Sequence, residues 1–249
     1  MGRLTGRDLA RMARRTLLLQ ATFNYERQQG LGWAWALAPA LKRLYPDPEQ
    51  YRARLAEHTA YFNTQPTLAS LALGAVAGME EQRAASGDHE ADGIARVKGV
   101  LGASLAALGD RFYWFTLRPF AASLGVLVAL LHGWWGALAL WAAYNALHLT
   151  VRFAGVRWGY VQGPAVLGEP LRLRFGRFAT GLCVLGSAVL GLVTAWLLVP
   201  AGQPRPIAAE AAIAAGIGVG LVAAQRSRPS PTEWALGAGV LCMIAAWRG

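Results

Sequence analysis

Near its start the chain reads Phe23-Asn24-Tyr25-Glu26-Arg27-Gln28-Gln29. This segment is too polar for a membrane anchor, yet an apolar run from residue 30 to residue 41 follows it directly. If the segment is helical, Asn24 and Gln28 lie on one face, and Tyr25 and Gln29 lie on the neighbouring face. Amides donate and accept hydrogen bonds and a carboxylate accepts them, so the cluster could bind a polyhydroxyl ligand.

A surface helix of a soluble protein is the simpler interpretation of that segment alone, but the composition argues for an integral membrane protein. Of the 249 residues, 55% are hydrophobic and 15% are charged, and the mean hydropathy is +0.31. The net charge of +10 fits basic loops beside anionic lipid headgroups better than nucleic acid, which is not expected as a partner. Cys183 and Cys242 lie in apolar runs and predict neither a disulfide framework nor a metal site, and no cofactor is expected.

Residues 7 to 20 predict a basic amphipathic helix. Its two faces carry Arg7, Arg11, Arg14 and Arg15 on one side and Leu9, Met12, Ala13, Thr16 and Leu17 on the other. Such a helix is expected to lie on the cytoplasmic surface of the membrane, and docking onto a partner protein is the alternative. No cleavable signal peptide is predicted, because this arginine-rich start contains no uninterrupted apolar core.

Three glycine-containing apolar segments are too short to span a membrane. They cover residues 30–41, 67–79 and 97–110, and a core of roughly 30 Å needs about 20 helical residues. Asn63 precedes the second segment in a polar turn, where capping the next helix is its alternative role. Asp110 ends the third segment next to Arg111, with which it could form a surface ion pair. Short segments of this kind, preceded by polar clusters, are typical of transporters with half-helices.

The second half of the chain predicts full transmembrane helices. The run from residue 119 to residue 151 is uncharged and longer than one span, and His132-Gly133 near its middle favours a hairpin or a broken helix. Asn145 and His148 are expected to form contacts between helices. The basic loop from residue 152 to residue 177 is expected in the cytoplasm, and residues 178–200 are the clearest span. Shorter apolar segments follow at 211–225 and 234–247.

These patterns predict an all-α integral membrane protein with transmembrane helices, short re-entrant or half-helices, and an N-terminal amphipathic interfacial helix. Three regions are expected: an interfacial arm over residues 1–22, a region of polar motifs and short helices over 23–118, and a transmembrane helical region over 119–249.

Several motifs, taken in order, resemble those of one family, the IID component of the mannose-type (mannose/fructose/sorbose) phosphotransferase system. They are Phe23-Asn24-Tyr25-Glu26-Arg27-x-Gln29, Phe62-Asn63-Thr64-x-Pro66, Glu80-Glu81, Lys98 through Gly109-Asp110 with Trp114, and Gly159-Tyr160-x-x-Gly163. The chain departs from the family where proline is usual before Gly109-Asp110, since it reads Gly102-Ala103-Ser104-Leu105 there.

The resemblance implies a multi-pass subunit of a bacterial inner-membrane permease. Its N-terminus is expected in the cytoplasm, and it is expected to act with a IIC subunit as a trimer of heterodimers. Soluble IIA and IIB proteins would phosphorylate the hexose or amino sugar that the permease moves, so no catalytic residue is expected in this chain. A non-transporting membrane scaffold or regulatory sensor that binds the soluble phosphotransferase proteins is the alternative function.

The residues expected along the substrate path or at the subunit interface combine amides, acids, a phenol and a guanidinium. They are Asn24, Tyr25, Glu26, Arg27, Gln28, Gln29, Asn63 and Asp110. Glu26 is expected to accept a hydrogen bond from a sugar hydroxyl or a partner amide. Arg27 is expected to serve as its counter-ion near the membrane.

Overall fold

The protein is described by a computed structural model that covers residues 3–87 and 91–198. Within these residues the regular structure is helical, as expected. The α-helices are α1 (Gly6–Arg15), α2 (Gly30–Leu44), α3 (Pro48–His58), α4 (Ala69–Ser86), α5 (Ala91–Phe112), α6 (Arg118–His132), α7 (Trp135–Gln162) and α8 (Glu169–Leu198).

The described chain divides into two compact units. One contains residues 3–87, 91–115 and 144–176, and the other contains residues 116–143 and 177–198. The first unit holds α1 to α5 and the C-terminal part of α7, and its core is built where α2 and α4 pack on their neighbours. All the polar motifs of the sequence lie in this first unit.

The predicted amphipathic helix is α1. Thr5 caps its N-terminus: the Thr5 hydroxyl accepts from the Asp8 amide at 3.3 Å, and the Asp8 carboxylate accepts from the Thr5 amide at 3.0 Å. Burial alone would raise the pKa of Asp8, but these hydrogen bonds and the charge of Arg43 lower it below its usual value. Met12 and Ala13 are buried where α1 packs on α2. This part of the apolar face of α1 is therefore covered by the protein itself, whereas Leu9 is half-buried and Leu17, after the helix, is exposed. Arg7, Arg11 and Arg14 are exposed.

Two arginine side chains hold the C-terminal end of α1 in place. Pro39 lies inside α2 and has no N–H for the carbonyl of Trp35, and Arg15 donates to that carbonyl at 2.8 Å instead. The Arg15 guanidinium also lies 4.7 Å from the centre of the Trp35 ring. Arg152 of α7 donates at 2.8 Å to the carbonyl of Thr16, the residue that ends α1.

Glycine allows α4 and α7 to pack in backbone contact. A Cβ atom on Gly159 would overlap the carbonyl of Leu71, and one on Gly74 would overlap the carbonyl of Val156. Ser70 strengthens the contact, because its hydroxyl donates at 3.3 Å to the carbonyl of Val151. Small residues at such a crossing are typical of helices that associate in membranes.

Two stretches of the described residues are long and apolar enough to cross a membrane, Gly93–His132 and Leu171–Thr194. The first corrects the prediction of a separate short segment at residues 97–110, because α5 runs on through a wide π-helical turn (Tyr113–Leu117) into α6. Pro119 cannot donate to the carbonyl of Phe115, and the π-helical turn accommodates this break. The predicted hairpin is confirmed: α6 ends at His132, and Gly133 turns the chain with φ 62°.

Residues 178–198 of the span predicted at 178–200 lie in α8, which begins earlier, at Glu169. Residues 199–200 of the predicted span lie outside the described residues. The apolar segments at 211–225 and 234–247, together with Cys242, lie entirely outside them.

Candidate functional site

The polar segment at residues 23–29 is a turn, which corrects its interpretation as a helix. The Gln28 amide donates to the Asn24 carbonyl at 2.9 Å, and the Asn24 side chain accepts from the Arg27 amide at 2.8 Å. Gln28 takes the left-handed backbone conformation with φ 51°. Asparagine stabilises this turn because its side chain competes with helical hydrogen bonds for the nearby backbone.

This turn is bonded to the second polar turn, which leads from α3 to α4. The Gln29 amide donates to the Phe62 carbonyl at 2.8 Å, and the Phe62 amide donates to the Arg27 carbonyl at 3.3 Å. The Gln29 side chain pairs with the backbone of Thr64, donating to its carbonyl at 2.7 Å and accepting from its amide at 3.2 Å. Gln29 and Thr64 are buried. We call residues 23–30 and 59–66 together the double turn.

Helix α5 packs directly on the double turn. The Thr64 hydroxyl donates to the Gly102 carbonyl at 2.8 Å, and a Cβ on Gly102 would lie 3.0 Å from the Phe62 ring. A Cβ on Gly109 would lie 2.5 Å from the side chain of Gln65. Gly102 and Gly109, from the third apolar segment, thus lie on the face of α5 that packs on the double turn.

A buried lysine also fixes the double turn. The Lys98 ammonium donates to the His58 carbonyl at 3.0 Å and lies 5.3 Å from the Trp33 ring and 5.5 Å from the Phe62 ring. Over the described residues it has no carboxylate within ion-pair distance. Its interactions therefore link α5 to the end of α3 and to the aromatic base of the double turn.

The buried carboxylate of Glu80 links the helices that meet at His58. Glu80 is fully buried, and its two oxygens lie 2.7 Å from the Tyr45 hydroxyl and 3.1 Å from His58 Nε2. Arg83 lies 3.4 Å from Glu80 and donates to Glu57 at 2.9 Å. Burial and the contact with Glu80 raise the pKa of Tyr45 well above its usual value, so this hydroxyl stays a donor. The network ties α2, α3 and α4 together.

A second polar cluster lies where α4 meets α7. His148 Nδ1 and the Thr67 hydroxyl are 2.7 Å apart, which confirms the helix contact expected of His148. The His148 ring stacks on Tyr144 and meets the edge of Tyr113. The buried Tyr113 hydroxyl has no hydrogen-bond partner among the described residues.

The predicted site residues separate into inward-facing and outward-facing groups. Gln29 is buried in the frame of the double turn, and Asn24 closes the first turn. Tyr25 is 98% exposed, and the Glu26 side chain is 81% exposed with Arg27 at 3.7 Å as its ion-pair partner. Asn63 is also exposed.

Gln28 is half-buried, and its side-chain amide donates to the Tyr25 carbonyl at 3.4 Å. Asp110 is exposed in the last turn of α5. Within the described chain it makes no hydrogen bond or ion pair with the double turn.

Sequence reasoning did not predict the roles of the supporting residues Trp33, His58, Thr64, Glu80 and Lys98. Lys98 and Glu80 entered only as members of a motif. One available signal was the presence of Lys98 in an otherwise apolar, glycine-rich segment, since a charge there needs a dedicated partner.

Residues 3–202 match the family described as the PTS system mannose/fructose/sorbose family IID component. The chain is 34% identical over 196 residues to the PTS mannose-specific EIID component of Escherichia coli K12, covering 78% of this chain and 69% of that protein. It is 35% identical over 195 residues to the sorbose-specific EIID component of Klebsiella pneumoniae, covering 78% and 71%. It is 33% identical over 195 residues to the fructose permease IID component of Bacillus subtilis, and the match covers 78% of this chain and 71% of that protein.

Two solved structures are similar over nearly the whole chain. One is a chain of the mannose transporter ManYZ in complex with microcin E492, with a TM-score of 0.63 and 25% identity, covering 100% of this chain and 98% of that one. The other is a membrane protein with a TM-score of 0.69 and 25% identity, covering 99% and 98%.

Proposed function

The chain belongs to the IID component family of the mannose/fructose/sorbose phosphotransferase systems, and from this membership we propose how its double turn serves sugar transport. The protein is a membrane subunit of a sugar permease and works with other subunits of the same system. In our proposal its membrane partner is a IIC subunit, arranged as a trimer of heterodimers. Soluble IIA and IIB proteins phosphorylate the hexose or amino sugar, and this chain contributes no catalytic group.

The proposed topology is multi-pass with the N-terminus in the cytoplasm. Arginines are concentrated in α1 and between residues 152 and 177, and basic segments stay on the cytoplasmic side of bacterial membranes. The turn at Gly133 then lies on the far side, and the turn Gly163–Leu167 lies in the cytoplasm.

The rigidity of the double turn supports its proposed role. Gln29, Thr64 and Lys98 are buried and hydrogen-bonded in its frame, whereas Tyr25, Glu26 and Asn63 project outward from it. Polar groups held on a rigid frame lose little conformational freedom on binding. We propose that these outward groups, with Gln28, line the sugar path or contact IIC, and that Glu26 accepts a hydrogen bond from the sugar or from IIC.

The test is the substitution Glu26→Ala, with sugar uptake and recovery of IIC through a tag on this chain as separate measurements. We expect uptake to be abolished. Retained IIC would place Glu26 on the sugar path, and lost IIC would place it at the interface. The matched control is Glu49→Ala, which removes an exposed carboxylate of α3 whose ion-pair partner among the described residues is the exposed Arg52. Normal uptake by Glu26→Ala contradicts the assignment.

A further inference from the structure

Two adjoining cavities lie between α1 and the C-terminal part of α7. They measure about 510 Å³ and about 600 Å³ and share Ala10 and Phe153 as lining residues. The two cavities share this wall, and we call them together the arginine groove.

The floor of the arginine groove is apolar. Leu4 and Leu9 of the α1 side line it opposite Phe153 and Val161 of α7. Phe153 is 41% exposed and Val161 is 74% exposed, so apolar surface is left open inside the groove. In a membrane protein such a strip suits a hydrocarbon chain.

The rim of the groove is cationic. Arg3, Arg7, Arg11, Arg14 and Arg157 line it, and no carboxylate lines either cavity. Arg7, Arg14 and Arg157 are exposed, and none of the three makes an ion pair within residues 3–87 and 91–198. The nearby Glu81 is already engaged, since it accepts from the Tyr160 hydroxyl and lies 3.9 Å from Arg3. Apart from the pair between Arg3 and Glu81, the rim therefore has no counter-anion among the residues that the structure describes.

We propose that the arginine groove binds an anionic glycerophospholipid of the cytoplasmic leaflet, with its phosphate on the arginines and an acyl chain on the apolar floor. An amphiphile satisfies both halves of the groove, and arginine binds phosphate through paired N–H donors. The inference rests on the cytoplasmic position of α1 in the proposed function. It differs from simple surface insertion of α1, because the lipid is bound between α1 and α7 and not along one helix alone.

The experiment uses the detergent-solubilised complex, purified through a C-terminal tag on this chain. The probes are phosphatidylglycerol and phosphatidylcholine with identical acyl chains, and the readout is lipid retained per complex by native mass spectrometry. The test variant combines Arg7→Gln, Arg14→Gln and Arg157→Gln. The control combines Arg52→Gln, Arg96→Gln and Arg174→Gln, which removes the same charge at exposed positions outside the groove.

We expect phosphatidylglycerol to be preferred over phosphatidylcholine by on the order of tenfold, and the preference to be lost in the test variant and kept in the control. Equal retention of the two lipids, or unchanged preference in the test variant, would overturn the proposal. Displacement of the lipid by glycerol 1-phosphate would overturn it in favour of a site for soluble phosphate esters.

Recovery of IIC is scored in the same samples. A wild-type complex that retains IIC but shows no lipid preference contradicts the lipid site alone, whereas absence of IIC from the wild-type complex contradicts the proposed function.

Discussion

Gln29 is the residue on which the two halves of the double turn depend. Its side-chain amide satisfies both backbone groups of Thr64 in a buried position. Leaving a buried backbone group without a partner costs more folding free energy than an average hydrogen bond contributes. The conformation that presents Glu26 therefore depends on a neighbour that never reaches the surface.

We expect Gln29→Met to destabilise the folded protein by about 2 to 4 kcal/mol, because it conserves size but leaves the amide and carbonyl of Thr64 unpaired. Gln29→Glu should be worse, since it directs a buried carboxylate at the Thr64 carbonyl. The measurement is the thermal unfolding midpoint of the purified complex. Gln50→Met at an exposed position of α3 is the control, and equal midpoints for Gln29→Met and the control would refute this role.

At this scale the sequence predicted which segment is polar and important but not which side chains face inward. Asn24 and Gln28 were placed on one helical face, whereas the chain folds back so that the Gln28 amide bonds the Asn24 carbonyl. The direction of Gln29 depends on the chain near Thr64, 35 residues later. Local periodicity contains no information about such a partner.

Among the elements, the crossing of α4 and α7 depends most strictly on residue size. The backbones of Gly159 and Leu71 are in contact, so a methyl group has no space unless the helices separate. This separation would also strain the contact of His148 in α7 with Thr67 in the turn just before α4.

Gly159→Ala should therefore lower the yield and the thermal midpoint of the complex, although alanine is the better helix former by about 1 kcal/mol. Gly99→Ala is the matched control, because a Cβ at this glycine of α5 meets no atom within 4 Å. We expect the control to be neutral or slightly stabilising. A Gly159→Ala protein as stable as the control would show that the crossing tolerates a larger separation.

Helix positions were largely predictable, because apolar periodicity and glycine or proline punctuation are local signals. The turn at His132-Gly133 follows from a run too long for one span and a glycine able to take positive φ. The continuity of α5 into α6 was not predicted, because the charged residues Asp110 and Arg111 were taken to mark the end of an apolar segment. The helix passes them because Asp110 stays exposed on its surface.

For the whole molecule, the lengths of α7 and α8 define a testable topology. With 28 and 30 residues, each is long enough to cross a core of roughly 30 Å at about 1.5 Å per residue. The basic residues at the start of α8 and the end of α7 favour the cytoplasm for the turn between them.

Single cysteines report this topology in a background where Cys183 and Cys242 are alanine. Trp134→Cys, at the exposed hairpin, should react with a membrane-impermeant maleimide in right-side-out vesicles. Ala165→Cys, in the exposed turn before α8, should react only in inside-out vesicles. The reverse pattern would place the N-terminal arginines outside the cytoplasm and contradict the proposed orientation.

The hydrogen bond between Arg152 and Thr16 can form only late in the synthesis of the chain. The two residues are 136 positions apart, so α1 is made first but receives its closing donor only after much of α7 has left the ribosome. At about 5 to 20 residues per second, this interval lasts roughly 7 to 27 s. During that time the Thr16 carbonyl has no arginine donor, so α1 can pack on α2 early but completes its native contacts only when α7 is made.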